Sequence, residues 1–183
     1  MLYVQQSLSP DEELIHIGHF HWMYSVSAIM AIFWGVVGAI VIVVGAVYFM
    51  DHFWPMITHR PPVFVSDSLM GKIRELHPAI RLAAFFTFVM GVFRFAHMMV
   101  VKATTEIAVT TSRIIYKRGL VARYVGEMSI DRIEGVNVLQ TVLGRIFNYG
   151  RIMVRGMGVG EVILPPLQDP IKFRKAIEKA RLS

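Results

Sequence analysis

Cysteine is absent from this chain of 183 residues, which excludes disulfides, thiolate nucleophiles and cysteine metal ligands. Charge is also scarce: charged residues make up 17% of the sequence, while hydrophobic residues make up 55%. A soluble domain of this length ordinarily carries more polar surface. The composition therefore predicts a membrane protein.

Lysine and arginine are missing from the first twenty positions, where a cleaved signal peptide would carry them. We therefore expect the first apolar segment to be retained. Residues 102–183 contain 14 Lys and Arg against 7 Asp and Glu, while the preceding 101 residues contain 5 against 6. The basic part of the chain is thus the part predicted to lie outside the lipid.

Two long apolar runs predict a transmembrane hairpin over residues 22–101. The span at 22–50 has 29 residues without a charge, and the span at 82–101 has 20 residues with one charge, Arg94. At about 1.5 Å per residue, each can cross the roughly 30 Å hydrocarbon layer. Arg94 lies past the midpoint and is interpreted as extending toward the headgroups. An ion path is the alternative, but it would need a carboxylate partner that neither run contains.

Residues 51–81 are predicted to form the external loop, because four prolines interrupt them. A short helix is expected near Ser68 to Leu76. Residues 1–21 then form an N-terminal segment, and residues 102–183 form a separate domain. Positive charge near the helix ends is slightly greater on the C-terminal side, so both termini are predicted to face the cytoplasm.

Small residues recur every four positions in both runs, which allows helix backbones to approach closely in lipid. The stripes are Ser27, Ala31, Gly35 and Ala39 in the first run and Ala83, Thr87 and Gly91 in the second. We predict that these residues pack helices together, within the hairpin or between subunits. Ordinary membrane composition is the alternative explanation.

From Thr104 onward, the pattern changes to short β-rich segments separated by turns. The predicted strands are 104–110, 113–117, 120–128, 134–139, 151–156 and 161–164, with a turn or short helix at 143–148. Asp169 is predicted to cap a final helix that begins with Pro170 and presents Phe173 and Ile177 on its apolar face. This order of elements indicates a small barrel closed by one helix.

Four segments of this chain resemble the membrane-anchored bacterial pleckstrin-homology-like (PH-like) proteins that carry the second bacterial type of that domain. They are PDEELIHIGHFHW at 10–22, AVTTSRIIYKRGLVAR at 108–123, MSIDRIEGVNVLQTVLGRIFNYGRIMVRG at 128–156 and DPIKFRKAI at 169–177. The resemblance implies two transmembrane helices followed by a small PH-like β-barrel or sandwich with a C-terminal helix. It also implies the bacterial cytoplasmic (inner) membrane. It implies no reaction, because the family has no common one and fold does not specify function.

Candidate chemical motifs in the sequence are weak. His16, His19 and His21 have a spacing compatible with metal binding, but no fourth ligand is fixed, so no metal site is assigned. The alternating glycines of residues 156–160 are followed by strand sequence rather than a helix, which indicates a β-turn and not a phosphate loop. The carboxylates of the domain lack a neighbouring nucleophile and base. No enzyme and no cofactor are therefore predicted.

Basic side chains are the candidate contacts for anionic lipid or a protein partner, because lipid is the nearest polyanion to a membrane-tethered domain. The candidates are Arg94, Arg113, Lys117, Arg118 and Arg123. A solvated surface is the alternative. The first hairpin turn carries Arg113 alone, so phosphoinositide binding is not carried over from eukaryotic pleckstrin-homology domains. Nucleic acid is not expected as a partner.

Together these features predict a non-enzymatic membrane adaptor or scaffold that forms homo-oligomers or binds another membrane-protein complex. The alternative is a component of a transport or channel assembly, in which the helices themselves perform the function. Transport requires a polar lumen, and the apolar runs supply few polar groups beyond Ser25, Ser27, Thr87 and Arg94.

The hairpin topology predicts that reporter fusions at Ser183 and in the loop near Pro62 report opposite sides of the membrane. An even number of spans returns the chain to the side on which it started. A pair of reporters, one active only in the cytoplasm and one only outside it, measures this directly. The same side for both fusions would contradict the hairpin.

Overall fold

The computed structural model of the protein describes residues 2–59, 63–119, 124–157 and 160–182. It divides into two compact units, Ser27–His97 and a second that combines Met1–Val26 with Met98–Ser183. The N-terminal segment, expected to stand apart as residues 1–21, thus belongs to the same unit as the C-terminal domain. The reason is that it contributes a strand to that domain's sheet.

Seven α-helices lie in the described residues. They are α1 (Leu2–Ser7), α2 (Trp22–Tyr48), α3 (Trp54–Thr58), α4 (Leu69–Glu75), α5 (Pro78–Thr104), α6 (Val142–Ile146) and α7 (Pro170–Ala180). The short helix predicted in the loop is confirmed as α4, and the helix predicted near 143–148 is confirmed as α6.

Both apolar helices are longer than their sequence patterns indicated. A π-helical segment, Phe49–Phe53, joins α2 to α3, so one helical run extends to Thr58 instead of ending at Met50. Pro55 does not end this run; it follows the π-helical segment directly and lies in the first turn of α3. Pro78 likewise begins α5 four residues before the expected start of the second span. Both runs are long and apolar enough to cross a membrane.

Eight strands lie in the described residues. They are β1 (Leu14–Gly18), β2 (Glu106–Thr110), β3 (Arg113–Arg118), β4 (Tyr124–Ser129), β5 (Ile133–Leu139), β6 (Tyr149–Gly156), β7 (Gly160–Ile163) and β8 (Leu167–Gln168). A single 3-10 turn, Ile130–Arg132, joins β4 to β5. The six predicted strands correspond to β2–β7. The start of the predicted third strand, at 120–123, and Gly158 and Val159 in the last hairpin turn lie outside the described residues.

The strands form two antiparallel sheets. The first has the order β1-β2-β3-β4, and the second has the order β5-β6-β7 with β8 also paired to β6. A bridge between Phe20 and Leu167 joins the segment after β1 to β8. The barrel expected from the sequence is therefore observed as two sheets that meet at this corner.

The core of the sheet-rich unit lies between the two sheets and α7. It includes Ile107, Val109, Ile114, Met128, Ile152, Val154, Leu164, Leu167, Phe173 and Ile177. The predicted apolar face of α7 is confirmed, since Phe173 and Ile177 are fully buried. On the outer face of the first sheet, α1 places Val4 against Ala108 and Ile115.

Asp169 precedes α7 as expected, but its side chain does not cap the helix. Its backbone is left-handed, with φ at 49°, and its carboxylate accepts a hydrogen bond from the Asn148 side-chain amide. The carboxylate is thus occupied in tying α7 to the end of the α6–β6 turn.

In the helical unit, α2 and α5 pack closely together at two glycines. A Cβ added to Gly35 would lie 3.0 Å from the Gly91 Cα, and a Cβ added to Gly91 would lie 2.8 Å from the Ala31 carbonyl oxygen. Gly38 similarly faces the Thr87 methyl group at 3.0 Å. An added Cβ would be too close to its neighbours at these positions, so the helices can pack this tightly only where the residues are glycine.

The contact seam departs from the four-residue stripe at its ends. Ser27 and Ala83 are exposed, while the next residues, Ala28 and Ala84, are buried. Ala28 precedes Gly35 by seven residues, and Ala84 precedes Gly91 by the same interval. Seven residues are close to two helical turns, whereas steps of four drift around the helix, so the seam follows the seven-residue spacing.

Gly91→Ala is expected to lower the free energy of unfolding in detergent by about 1–3 kcal/mol, because its methyl group would collide with the Ala31 carbonyl. Gly45→Ala in α2 is the matched control, since a Cβ there meets nothing within 4 Å. Removing a helical glycine at an open site has no steric cost and is favourable by up to about 1 kcal/mol. Thermal unfolding of the two variants in one detergent provides the measurement. Equal stabilities would contradict the close contact.

Candidate functional site

Arg113, one of the candidate contact residues, is engaged inside the protein. Its guanidinium donates to both carboxylate oxygens of Glu12, with Nε 3.0 Å from Oε1 and Nη2 2.8 Å from Oε2. Nη1 donates to Glu127 at 3.0 Å, and Nη2 also donates to the Ser7 carbonyl at 2.7 Å. The hydrogen bonds of this side chain are therefore made within the protein, and its predicted contact with lipid or a partner stays a prediction. It joins the N-terminal segment to the turn between β2 and β3.

Glu12 is the centre of this network. Its side chain is 3% exposed, and the hydroxyls of Thr110 and Ser112 donate to Oε1 at 2.5 Å and 2.8 Å. Burial alone raises the pKa of Glu12, but hydrogen bonds from Thr110, Ser112, the Ser9 amide and Arg113 outweigh it and lower the pKa to about 2. Glu12 is thus a buried anion whose charge is fully paired at neutral pH.

Lys117 is engaged in the same way at the other end of the β2–β3 hairpin. Its ammonium lies 3.3 Å from Glu106 and 5.3 Å from the centre of the Tyr3 ring. Burial raises the pKa of Glu106, but hydrogen bonds from the Val4 amide and from Lys117 outweigh it, and the pKa is lowered. Lys117 therefore helps to hold α1 against the sheet.

The other predicted cations differ in their surroundings. Arg118 lies over the ring of Tyr124 at 5.3 Å, a cation–π contact at the surface. Arg94 is exposed on α5 and makes no ion pair with any residue that the structure describes. Arg123 lies outside the described residues.

An apolar groove lies at the open corner between the two sheets, where the edge strands β4 and β7 face each other. Its lining consists of Ile114, Tyr116, Tyr124, Gly126, Glu127, Met128, Val154, Val162 and Leu164. Its volume of about 40 Å³ exceeds the roughly 10–15 Å³ that one water requires. Within the described sheets, β4 pairs only with β3 and β7 only with β6. The groove thus combines apolar walls with two strand edges that remain free to pair.

The three histidines of the N-terminal segment have separate contacts. His16 meets the Phe173 ring edge-on at 5.7 Å, and His21 stacks on Tyr149 at 5.1 Å while its Nδ1 accepts from the Met23 amide. The described residues contain no group of three or more His, Asp or Glu side chains arranged to hold a metal ion. His16 and His21 thus pack against aromatic rings, whereas His19 is exposed.

Comparison with known protein families identifies residues 63–181 as matching the bacterial PH domain. The chain belongs to this family. The match confirms the resemblance seen in the last 80 residues and extends it through α4 and α5. Neither the curated proteins nor the solved structures gave a match. PH-like domains are generally non-catalytic binding modules.

The N-terminal residues that complete the PH domain were not identified as site residues from the sequence. Strand β1 and Glu12 lie before the matched range, and β1 pairs with β2 about ninety residues later along the chain. Glu12 and β1 do fall in the PDEELIHIGHFHW segment whose resemblance was noted. That segment was therefore the available signal. Nothing in the local sequence, however, indicates that the Glu12 carboxylate pairs with Arg113.

Glu12→Gln is expected to destabilise the protein at neutral pH by roughly 2–3 kcal/mol, because it leaves Arg113 without its buried counter-ion. The pKa of Glu12 is lowered on folding from 4.5 to about 2, so its contribution is present above pH 4.5 and is lost as the pH falls toward 2. The difference in melting temperature between the native protein and the variant should therefore shrink across that interval.

Glu13→Gln is the matched control, since Glu13 is exposed and adjacent. Its melting temperature should follow that of the native protein at every pH. A difference between the native protein and Glu12→Gln that stays constant from neutral pH down to pH 2 would contradict the buried anion.

Proposed function

We propose that this protein is a non-enzymatic, membrane-anchored adaptor whose PH domain binds an extended protein segment at the cytoplasmic face of the bacterial inner membrane. The first occupant proposed is a segment of a second copy, which makes the protein a homo-oligomer. The alternative occupant is an extended segment of another membrane-protein complex.

Anchoring is supported by the surface of the two long helices. Only 11% of the most apolar window of the first run and 6% of that of the second are buried, whereas a core helix of a soluble protein is mostly buried. The exposed side chains include Ile29, Phe33, Trp34, Ile40 and Val41 of α2 and Phe85, Phe86, Met90 and Phe93 of α5. Apolar surface of this kind is stable in lipid and unfavourable in water.

The groove between β4 and β7 is the main support for binding of an extended segment. An extended segment added along either strand edge would satisfy backbone hydrogen-bonding groups that have no sheet partner in the described residues. Its alternate side chains would enter an apolar groove beside Tyr124 and Val162. This mode of recognition needs neither a cofactor nor a catalytic group.

The transport alternative receives less support from the polar groups of the helices. The Thr87 hydroxyl donates to the Ala83 carbonyl of its own helix at 2.9 Å, and the Ser25 hydroxyl accepts from Lys102 at 2.6 Å. Both groups are thus satisfied locally. Arg94 is exposed on the helix surface, where one cation alone does not form a pathway.

Photocrosslinking in cells tests the proposed groove. A benzoylphenylalanine in place of Tyr124, which is 50% exposed at the groove, should form a crosslink to a second copy or to a membrane protein. The same probe at Ile163 is the control, because Ile163 is similarly exposed but adjoins Val162 on the opposite face of β7.

Val162→Lys should abolish the Tyr124 crosslink, because it places a charge against the apolar wall of the groove. A crosslink that persists in this variant, or one that is equally strong at Ile163, would contradict binding in the groove. The mass of the crosslinked product separates a homo-oligomer from a complex with another protein.

A further inference from the structure

The turn formed by the end of β5, α6 and the start of β6 exposes an unusually apolar surface. Val142 is 75% exposed, Ile146 69% and Leu143 54%. We call this surface the α6 patch; it consists of Leu139, Val142, Leu143, Ile146 and Phe147. Neighbouring apolar side chains exposed together mark a surface that is covered by something in the working protein.

The α6 patch is held rigidly in this outward orientation. The Thr141 hydroxyl accepts a hydrogen bond from the Gly144 amide at 3.1 Å and so caps α6. The Gln140 side-chain amide donates to the Tyr149 carbonyl at 3.1 Å. Gly144 is buried so closely that an added Cβ would lie 2.6 Å from that same carbonyl oxygen. Because the backbone of α6 rests directly on β6, its large side chains can only face outward.

The α6 patch adjoins the residue at which the chain enters its first apolar helix. The ring of Trp22, the first residue of α2, meets the ring of Phe147 edge-on at 5.8 Å. Just before it, His21 stacks on Tyr149, and its amide donates to the Pro166 carbonyl at 3.4 Å. The start of α2 is therefore fixed to the domain beside α6, and the exposed Trp22 continues the apolar surface of the patch.

The chain segment that carries the α6 patch has only positive charges, and the one nearby carboxylate named above, Asp169, accepts a hydrogen bond from the Asn148 side-chain amide. Residues 135–160 contain three arginines and no Asp or Glu. Arg155 is paired with Glu161, whereas Arg145 and Arg151 are exposed beside the patch. Lys102, near the end of α5, donates to Ser25 in the first turn of α2 at 2.6 Å, which adds a cation where the two helices meet the domain.

We propose that the α6 patch inserts into the bilayer next to the first turn of α2, with Arg145 and Arg151 on anionic headgroups. Aromatic and aliphatic side chains rimmed by arginine are the composition of surfaces that bury themselves at the headgroup boundary. The continuity with Trp22 selects the bilayer over a protein partner as the occupant. This inference rests on the proposed membrane anchoring and is independent of the groove between β4 and β7.

The absence of cysteine allows a direct test in the full-length protein. Ile146→Cys, labelled with an environment-sensitive fluorophore, is reconstituted into vesicles of phosphatidylcholine and phosphatidylglycerol in equal parts. Quenching is then measured with a spin-labelled lipid and, separately, with aqueous iodide. Ile163→Cys is the control for an exposed site elsewhere on the domain, and Val41→Cys on α2 is the control for insertion.

The expected result is that the lipid quencher acts several-fold more strongly on the label at 146 than on that at 163, while iodide shows the reverse order. The lipid effect at 146 should weaken in vesicles of phosphatidylcholine alone; no change would overturn the role of the anionic headgroups. Strong iodide quenching at 146 would place the patch in water, and quenching by neither agent would place it under protein. Either result overturns insertion.

The label at 41 separates this inference from the anchoring on which it rests. Lipid quenching at 41 without lipid quenching at 146 would overturn the α6 patch alone. No lipid quenching at 41 would overturn the anchoring and the patch together.

Discussion

The pairing of β1 with β2 is the constraint on which the rest of the structure depends. Ile17 lies opposite Ala108 and Gly18 opposite Ile107, so the segments before and after the helical hairpin are neighbours in one sheet. The buried Glu12 and its partner Arg113 strengthen this junction, since removing one member of a buried ion pair leaves the other charge without its partner. The chain must therefore leave the domain through α2 and return through α5 at nearly the same place.

This closure also determines which charges the domain can offer to other molecules. Arg113 and Lys117 lie on the first hairpin of the PH domain, but both are paired with carboxylates, Glu12 and Glu106, and both hold the N-terminal segment in place. Their charge thus contributes to the stability of the fold. The surfaces proposed for recognition are the apolar groove at β4 and β7 and the apolar turn around α6.

Most elements of the fold were predictable because their signals are local. Strands β2, β3 and β5–β7, the buried face of α7 and the two apolar helices follow from hydrophobic spacing and turn residues within a few positions of each other. Local signals were less informative at the helix ends: Pro55 and Pro78 suggested a broken loop, yet Pro55 follows the π-helical segment directly and Pro78 lies in a first helical turn, where proline is tolerated. A proline's effect depends on its position in the helix, which the residue type does not reveal.

The composition and spacing of the residues determine the apolar helices, the small-residue stripes along them and a basic β-rich domain, whereas the PH family was indicated by the resemblance of four segments. Tertiary structure decides which of the small, charged and apolar residues are in contact with one another and which are exposed. It places Ala28 and Ala84 in the seam instead of Ser27 and Ala83, engages Arg113 internally and turns Val142 and Ile146 outward. The physical reason is that burial and ion pairing depend on which surfaces meet. Glu12 and Arg113 are 101 residues apart along the chain and 2.8 Å apart in the fold.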